Sequence, residues 1–208
     1  MTPGTVATAG GSGSGVSAVI LAGGRSRRFG SDKTVATLDG RRVLDLVVEA
    51  AGQHADEVLV IGPWAPDGAG HILETDPSQG PLNALAFALG QVRNPRALVL
   101  GGDHPLVSHA LLTQLVQDDH CSDALVPRLL ERAQPLVACY RTGVAMTARA
   151  LVESGERRLM ALLDNIDVRW MEEPEWRGLD PDGLSFMDVD TPEDLEEIRR
   201  MWDLRSDP

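Results

Sequence analysis

Apolar residues in this chain come in two alternating arrangements. Unbroken runs at Val16-Ser17-Ala18-Val19-Ile20, at 58–61 and at Arg96-Ala97-Leu98-Val99-Leu100-Gly101 predict buried strands, the last being the strongest central one. Between them, apolar residues recur at helical spacing: Val43, Leu44, Val47, Val48 and Ala51, then Leu82, Leu85, Ala86, Leu89 and Val92. Further helices are expected over 107–118, 143–153 and 155–163, and further strands over 71–73, 124–127, 135–140 and 166–171. Asp39-Gly40 is a turn signal, and 172–183 reads as a polar loop carrying Trp176. Thr191, Pro192 and Asp194 form an N-cap, a first helical position and a capping-box acid, so 191–202 is a final helix. Strands alternating with helices, without internal repeats, predict a single α/β domain in three layers, a mostly parallel central sheet with helices on both faces.

Length and composition narrow the class. A chain of 208 residues, 43% apolar, suits one domain with a sizeable core. The Gly/Ser/Thr/Ala-rich residues 1–15 are expected to be a disordered tail ahead of a domain spanning 16–208. The net charge of −12 argues against non-specific binding to nucleic acid or anionic membranes. No apolar run reaches the roughly 18 residues of a membrane span, and no signal-peptide pattern is seen, so a cytoplasmic location is expected. Cys121 and Cys139 make no disulfide framework, and the five histidines form no zinc-type cluster with them.

Candidate chemistry gathers first at Leu21-Ala22-Gly23-Gly24-Arg25-Ser26-Arg27-Arg28-Phe29-Gly30-Ser31-Asp32-Lys33, which follows the first strand directly. Adjacent glycines let backbone approach a ligand without a Cβ in the way. Arg25, Arg27, Arg28 and Lys33 are cations that can offset phosphate charge while turn N–H groups point at phosphate oxygens. The stretch is neither a P-loop nor the dinucleotide fingerprint: no Gly-Lys-Ser/Thr follows at the required spacing, and Gly13-Ser14-Gly15 precedes the strand. Glycine spacing alone does not separate a polyphosphate loop from a β-turn with solvated arginines. Asp103 stands just past the strongest strand, where open α/β sheets present site residues, and is a candidate Mg²⁺ ligand. Alternation puts Asp188 and Asp190 on one side of an extended segment. Asp188 is the candidate second ligand, with Asp190 bracing the turn. No Ser or Cys is paired with a His in a nucleophilic arrangement, so covalent catalysis is not expected.

The residues 21–33 resemble the signature Leu-Ala-Gly-Gly-x-Ser-x-Arg-Met-Gly-x-Asp-Lys of the molybdenum cofactor guanylyltransferases, the MobA-like nucleotidyltransferases. Phe29 departs from the family's Met and leans toward the related cytidylyltransferases, whereas Gly23 points to the guanylyl branch. The resemblance continues at Asp76 and Gly80-Pro81-Leu82, where Asn83-Ala84 replaces the family's Ala-Gly over the nucleotide base. It continues at Gly102-Asp103-His104-Pro105, where Gly102 replaces a Cys, at Gln134 to Ala138, at 155–163 and at Asp188 to Glu193.

What the resemblance implies is a Rossmann-like nucleotidyltransferase fold and the transfer of GMP from GTP to the terminal phosphate of molybdopterin, releasing pyrophosphate. Arg28, Lys33 and Asp103 would be catalytic. Leu21, Ala22, Gly23, Gly24, Lys33, Asp76, Gly80, Pro81, Leu82 and Asp103 would bind the nucleotide. Asp103 and Asp188 would hold Mg²⁺. Arg157 and Arg158 would either reach the pterin phosphate or remain solvated charges. A molybdoenzyme or its chaperone is a compatible downstream partner. Two other readings are a CTP-dependent cytidylyltransferase for molybdopterin or another phosphorylated small molecule, and a non-catalytic nucleotide-binding module that delivers cofactor. Retention of Arg28, Lys33 and Asp103 together speaks against the latter.

Overall fold

The structure is a computed structural model and describes residues 13–23, 36–73, 80–118 and 121–206. Its strands are β1 (Val16–Leu21), β2 (Thr37–Leu38), β3 (Arg41–Arg42), β4 (Glu57–Gly62), β5 (Gly70–Leu73), β6 (Arg96–Gly101), β7 (Ala124–Leu129), β8 (Arg132–Ala133), β9 (Val137–Arg141) and β10 (Val168–Met171). The helices are α1 (Val43–Gly52), α2 (Pro81–Leu89), α3 (His109–Gln117), α4 (Ala145–Glu153), α5 (Leu159–Leu163), α6 (Glu173–Trp176) and α7 (Pro192–Ser206). The main sheet runs β10-β7-β9-β6-β1-β4-β5, with β8 added to β7. β1 lies parallel to both β4 and β6, β4 to β5, and β10 to β7. The mostly parallel sheet therefore carries two reversed strands, β9, antiparallel to β6 and β7, and the short β8, antiparallel to β7.

The chain leaves β1 for β4 and β5 on one flank, then crosses back to β6 on the other. Crossovers of one hand running in opposite directions put their helices on opposite faces. One core cluster joins the sheet to α1, α3 and Trp176, and the other joins it to α2, α4 and α5. Between β1 and β6 lies the switch point, where open α/β sheets bind ligands beyond the strand ends. Leu21 pairs in register with both Ile61 and Gly101, so three parallel strands end in one row. A third cluster holds α7 against Leu38, Leu46 and Leu106 and includes Val189.

Local chemistry accounts for several element ends. Asp39 and Gly40 have φ of 50° and 73°, joining β2 to β3 in a two-residue hairpin. Thr191 and Asp194 form the expected capping box: Thr191 N–H donates to Asp194 Oδ2 at 2.7 Å, and Asp194 N–H donates to Thr191 Oγ1 at 3.1 Å. Ser14 and Gly15 N–H donate to the Asp56 carboxylate at 2.8 and 2.9 Å, so the end of the segment expected to be a tail is tied to the domain.

Two elements differ from expectation. The helix expected over 155–163 begins only at Leu159. Gly155 has φ 94°, and Glu156 Oε1 accepts from the N–H groups of Arg157 and Arg158 at 2.8 and 3.0 Å, which stops helical pairing there. The expected loop 172–183 contains α6, nucleated by a reciprocal capping box between Glu172 and Glu175. That short turn buries Trp176 completely, its Nε1–H donating to Arg128 O at 2.8 Å and its ring edge-on to Phe186 at 5.0 Å.

Candidate active site

The site lies where β1, β4 and β6 end. Gly102 N–H donates to Leu21 O at 3.0 Å, and Ala22 N–H to Ile61 O at 2.8 Å. Ala22 is thus clasped between Gly62 and Gly102. A Cβ on either glycine would lie 3.0 Å from an Ala22 carbon, so both must be small for the backbone after β1 to leave between its neighbours. Gly23 is exposed just past the end of β1. Gly24, Arg28, Lys33 and Asp76 lie outside the described residues.

Gly80 has φ 80°, and a Cβ there would press on Arg157 at 3.0 Å, which favours glycine at this N-cap. Pro81 is exposed at the first helical position, while Leu82 is buried and its N–H donates to Arg157 O at 3.3 Å. Leu82 and Leu21 share one core cluster, so this junction and the β1 end flank the same sheet face. Arg157 and Arg158 are both exposed, and Arg158 pairs with Glu156. Glu156 is held to about pH 2, chiefly by the Arg158 guanidinium and by two backbone N–H groups.

Asp103 comes two residues after the end of β6, its carboxylate partly exposed. The Asp188–Asp190 strand-like segment reaches it through Val189, which is buried and donates its N–H to Asp103 O at 3.0 Å. With Val189 turned into the core, its two neighbours point the other way. Carboxylate oxygens of Asp103, Asp188 and Asp190 all lie within 4.8 Å of one another. Upstream, Ser185 N–H donates to the buried Asp180 at 2.7 Å, and Ser108 N–H donates to Ser185 Oγ at 2.8 Å. Those bonds moor the approach to Asp188 on the N-terminus of α3. Asp190 N–H donates to Asp194, so Asp190 both braces the final helix and offers its carboxylate to the cluster. Sequence reasoning placed only one of these two aspartates in the site. Their spacing two residues apart was the signal that both would face it.

Three hard carboxylate oxygens suit Mg²⁺ or Mn²⁺, not a thiolate- or imidazole-seeking metal. Burial and then the charges of Asp103 and Asp190 raise the Asp188 carboxyl above its usual range, and His104 opposes that shift. In metal-free protein the ionised trio is therefore repulsive. Asp188→Asn is expected to raise the Tm of chelator-treated protein by about 1–2 °C at pH 7. The gain should fade as pH falls through the raised range of Asp188 and vanish below about 3.9, the ordinary aspartate value that the unfolded chain keeps. Calorimetric melts from pH 3.5 to 7 test this, and an unchanged or lowered Tm at pH 7 refutes it.

A carboxylate cluster at the strand ends beside the switch point of a mostly parallel sheet is the arrangement of a nucleotidyltransferase. The chain belongs to the MobA-like NTP transferase family, whose domain model matches residues 18–169. A probable molybdenum cofactor guanylyltransferase from Chloroflexus aggregans is 33% identical over 88% of this chain and 93% of its own length. Among solved structures, molybdopterin-guanine dinucleotide biosynthesis protein A from Archaeoglobus fulgidus superposes with a TM-score of 0.78 at 22% identity, over 90% of this chain and 99% of that one. A Mycobacterium tuberculosis protein crystallised with manganese shares the fold, with a TM-score of 0.66 at 20% identity over 89% of this chain and 98% of its own. Among the described residues, no helix is long and apolar enough to cross a membrane.

Proposed function

We propose that this enzyme transfers GMP from GTP to the terminal phosphate of molybdopterin, forming the guanine dinucleotide cofactor and pyrophosphate. The observation that carries the reading is the likeness to the Chloroflexus aggregans relative, which bears the guanylyltransferase name and matches nearly the whole chain. The phosphate oxygen of molybdopterin attacks the α-phosphorus of GTP while the bond to the pyrophosphate oxygen breaks. Such a transfer asks the protein for alignment and charge neutralisation more than for a proton-transfer dyad.

Leu21, Ala22, Gly23 and Gly24 present backbone to the nucleotide, with Asp76 and the Gly80-Pro81-Leu82 junction on the base side. Arg28 and Lys33 offset charge gathering on the departing pyrophosphate. Asp103, Asp188 and Asp190 hold Mg²⁺, which when bound supplies a counter-charge for the phosphates. Support for that assignment comes from the meeting of the three carboxylates at the end of β6. A CTP-dependent reaction is the second reading, favoured by Phe29 and by the Asp-Val-Asp-Thr-Pro form of residues 188–192.

Isothermal titration of the full chain with GTP, CTP and ATP, each with Mg²⁺, separates the two. GTP is expected to bind at least tenfold tighter than CTP, and pyrophosphate release should require molybdopterin. A CTP preference of the same size assigns the cytidylyl reaction instead. Binding without pyrophosphate release in the presence of molybdopterin refutes the acceptor.

A further inference from the structure

His104 is 7% exposed, follows Asp103 directly, and has a buried Nδ1 with no hydrogen-bond partner among the described residues. A buried ring nitrogen without a partner is costly, and a purely space-filling position would favour an apolar side chain. The other edge of the ring explains its presence. Nε2 lies 3.6 Å from Asp103 Oδ1, just outside direct hydrogen-bond length. Both groups lean over Gly101: a Cβ on that residue would come 2.6 Å from Asp103 Oδ1, 2.6 Å from His104 Cδ2 and 2.8 Å from Nε2. The bare Cα of Gly101 is therefore the floor on which carboxylate and imidazole lie side by side.

An ionised carboxylate only accepts hydrogen bonds, so the ring edge facing it is favourable when Nε2 carries the proton. The unpartnered Nδ1 is then the lone-pair nitrogen, turned into the interior. We propose that His104 is a positioning residue: its Nε2–H, seated over Gly101, holds the Asp103 carboxylate turned toward Asp188 and Asp190 for a divalent cation. Partners of this kind fix the orientation of a ligating carboxylate, and their loss commonly weakens metal binding by roughly 10–100-fold. Catalytic hydrogen bonds are often long before substrate binds and shorten afterwards, which suits the observed separation. The inference rests on the reading of Asp103 as a metal-holding residue.

The test is Mn²⁺ binding to the full chain, followed by the electron paramagnetic resonance of free Mn²⁺, with thermal melts of every variant. Asp103→Asn should abolish binding. His104→Gln carries an N–H donor at the position of Nε2 and should bind within about threefold of wild type. His104→Asn carries its donor at the position of Nδ1, beyond reach of Asp103, and should weaken binding at least tenfold. Gly101→Ala, which displaces the pair without altering either group, should weaken it similarly and serves if His104→Asn does not fold. The same variants should raise the Mg²⁺ concentration needed for half-maximal turnover more than they lower turnover at saturating Mg²⁺. If Asp103→Asn abolishes binding while His104→Asn and Gly101→Ala bind like wild type, the positioning role fails and the metal assignment stands. If Asp103→Asn binds Mn²⁺ like wild type, both fail together.

Discussion

Asp103→Ala is expected to lower turnover about 1,000-fold at saturating Mg²⁺, GTP and molybdopterin, equivalent to about 4 kcal/mol of transition-state stabilisation. The magnitude follows from the place of Asp103 in the cluster. It is the member fixed by a strand end, and Val189 N–H grips its carbonyl, so Asp188 and Asp190 are brought to it and not the reverse. Without it, two carboxylates on one short segment would have to hold the cation alone. The backbone after β6 should stay in place, because its bonds to Leu21 and Leu136 are main-chain ones. Melting temperature should therefore hold or rise slightly as like charge is removed. Pyrophosphate release assayed beside a thermal melt separates the two effects. Turnover within tenfold of wild type would refute the metal assignment.

Trp176→Ala should be the most damaging single change to stability, costing about 3–5 kcal/mol, as large-to-small changes at fully buried aromatic sites do. For a chain of this size that corresponds to a Tm lowered by roughly 6–20 °C. The ring fills the space between β7 and the residues before Asp188, and Gly183, at φ 67°, packs on its six-membered edge. Removing it leaves a cavity and orphans the Arg128 carbonyl. Phe186, edge-on to the ring, loses its packing partner just ahead of Asp188, so Mn²⁺ affinity should fall as well. Denaturant unfolding with parallel metal titration checks both. A stability loss under 1 kcal/mol would show that the cavity is refilled at little cost.

The two residues show opposite limits of reading from sequence. Asp103 was legible because a long apolar run ending in Gly-Gly-Asp is a local pattern, and strand ends in parallel sheets are where sites form. Trp176 was not, because four residues of helix between polar neighbours have no periodicity to detect. Only the Glu172 and Glu175 pair three positions apart betrayed it, and that pair signals a helix start without saying what the turn covers. Residues 155–158 failed for a related reason. Their composition suits a helix, yet Glu156 satisfies the next two N–H groups itself, and Leu82 uses the Arg157 carbonyl.

By itself the sequence determined the order of the longer strands and helices, the turn at Asp39-Gly40, the Thr191 cap and the common facing of Asp188 and Asp190. Each follows from chemistry between residues a few positions apart: backbone period, φ preference and side-chain-to-backbone bonds. Tertiary structure alone decided that β9 runs against its neighbours and that Asp190 joins Asp103 and Asp188. Those outcomes depend on which distant segments share a wall. That is set by the reversal of direction at β1 and by the burial of Val189 and Trp176 between elements far apart in the chain.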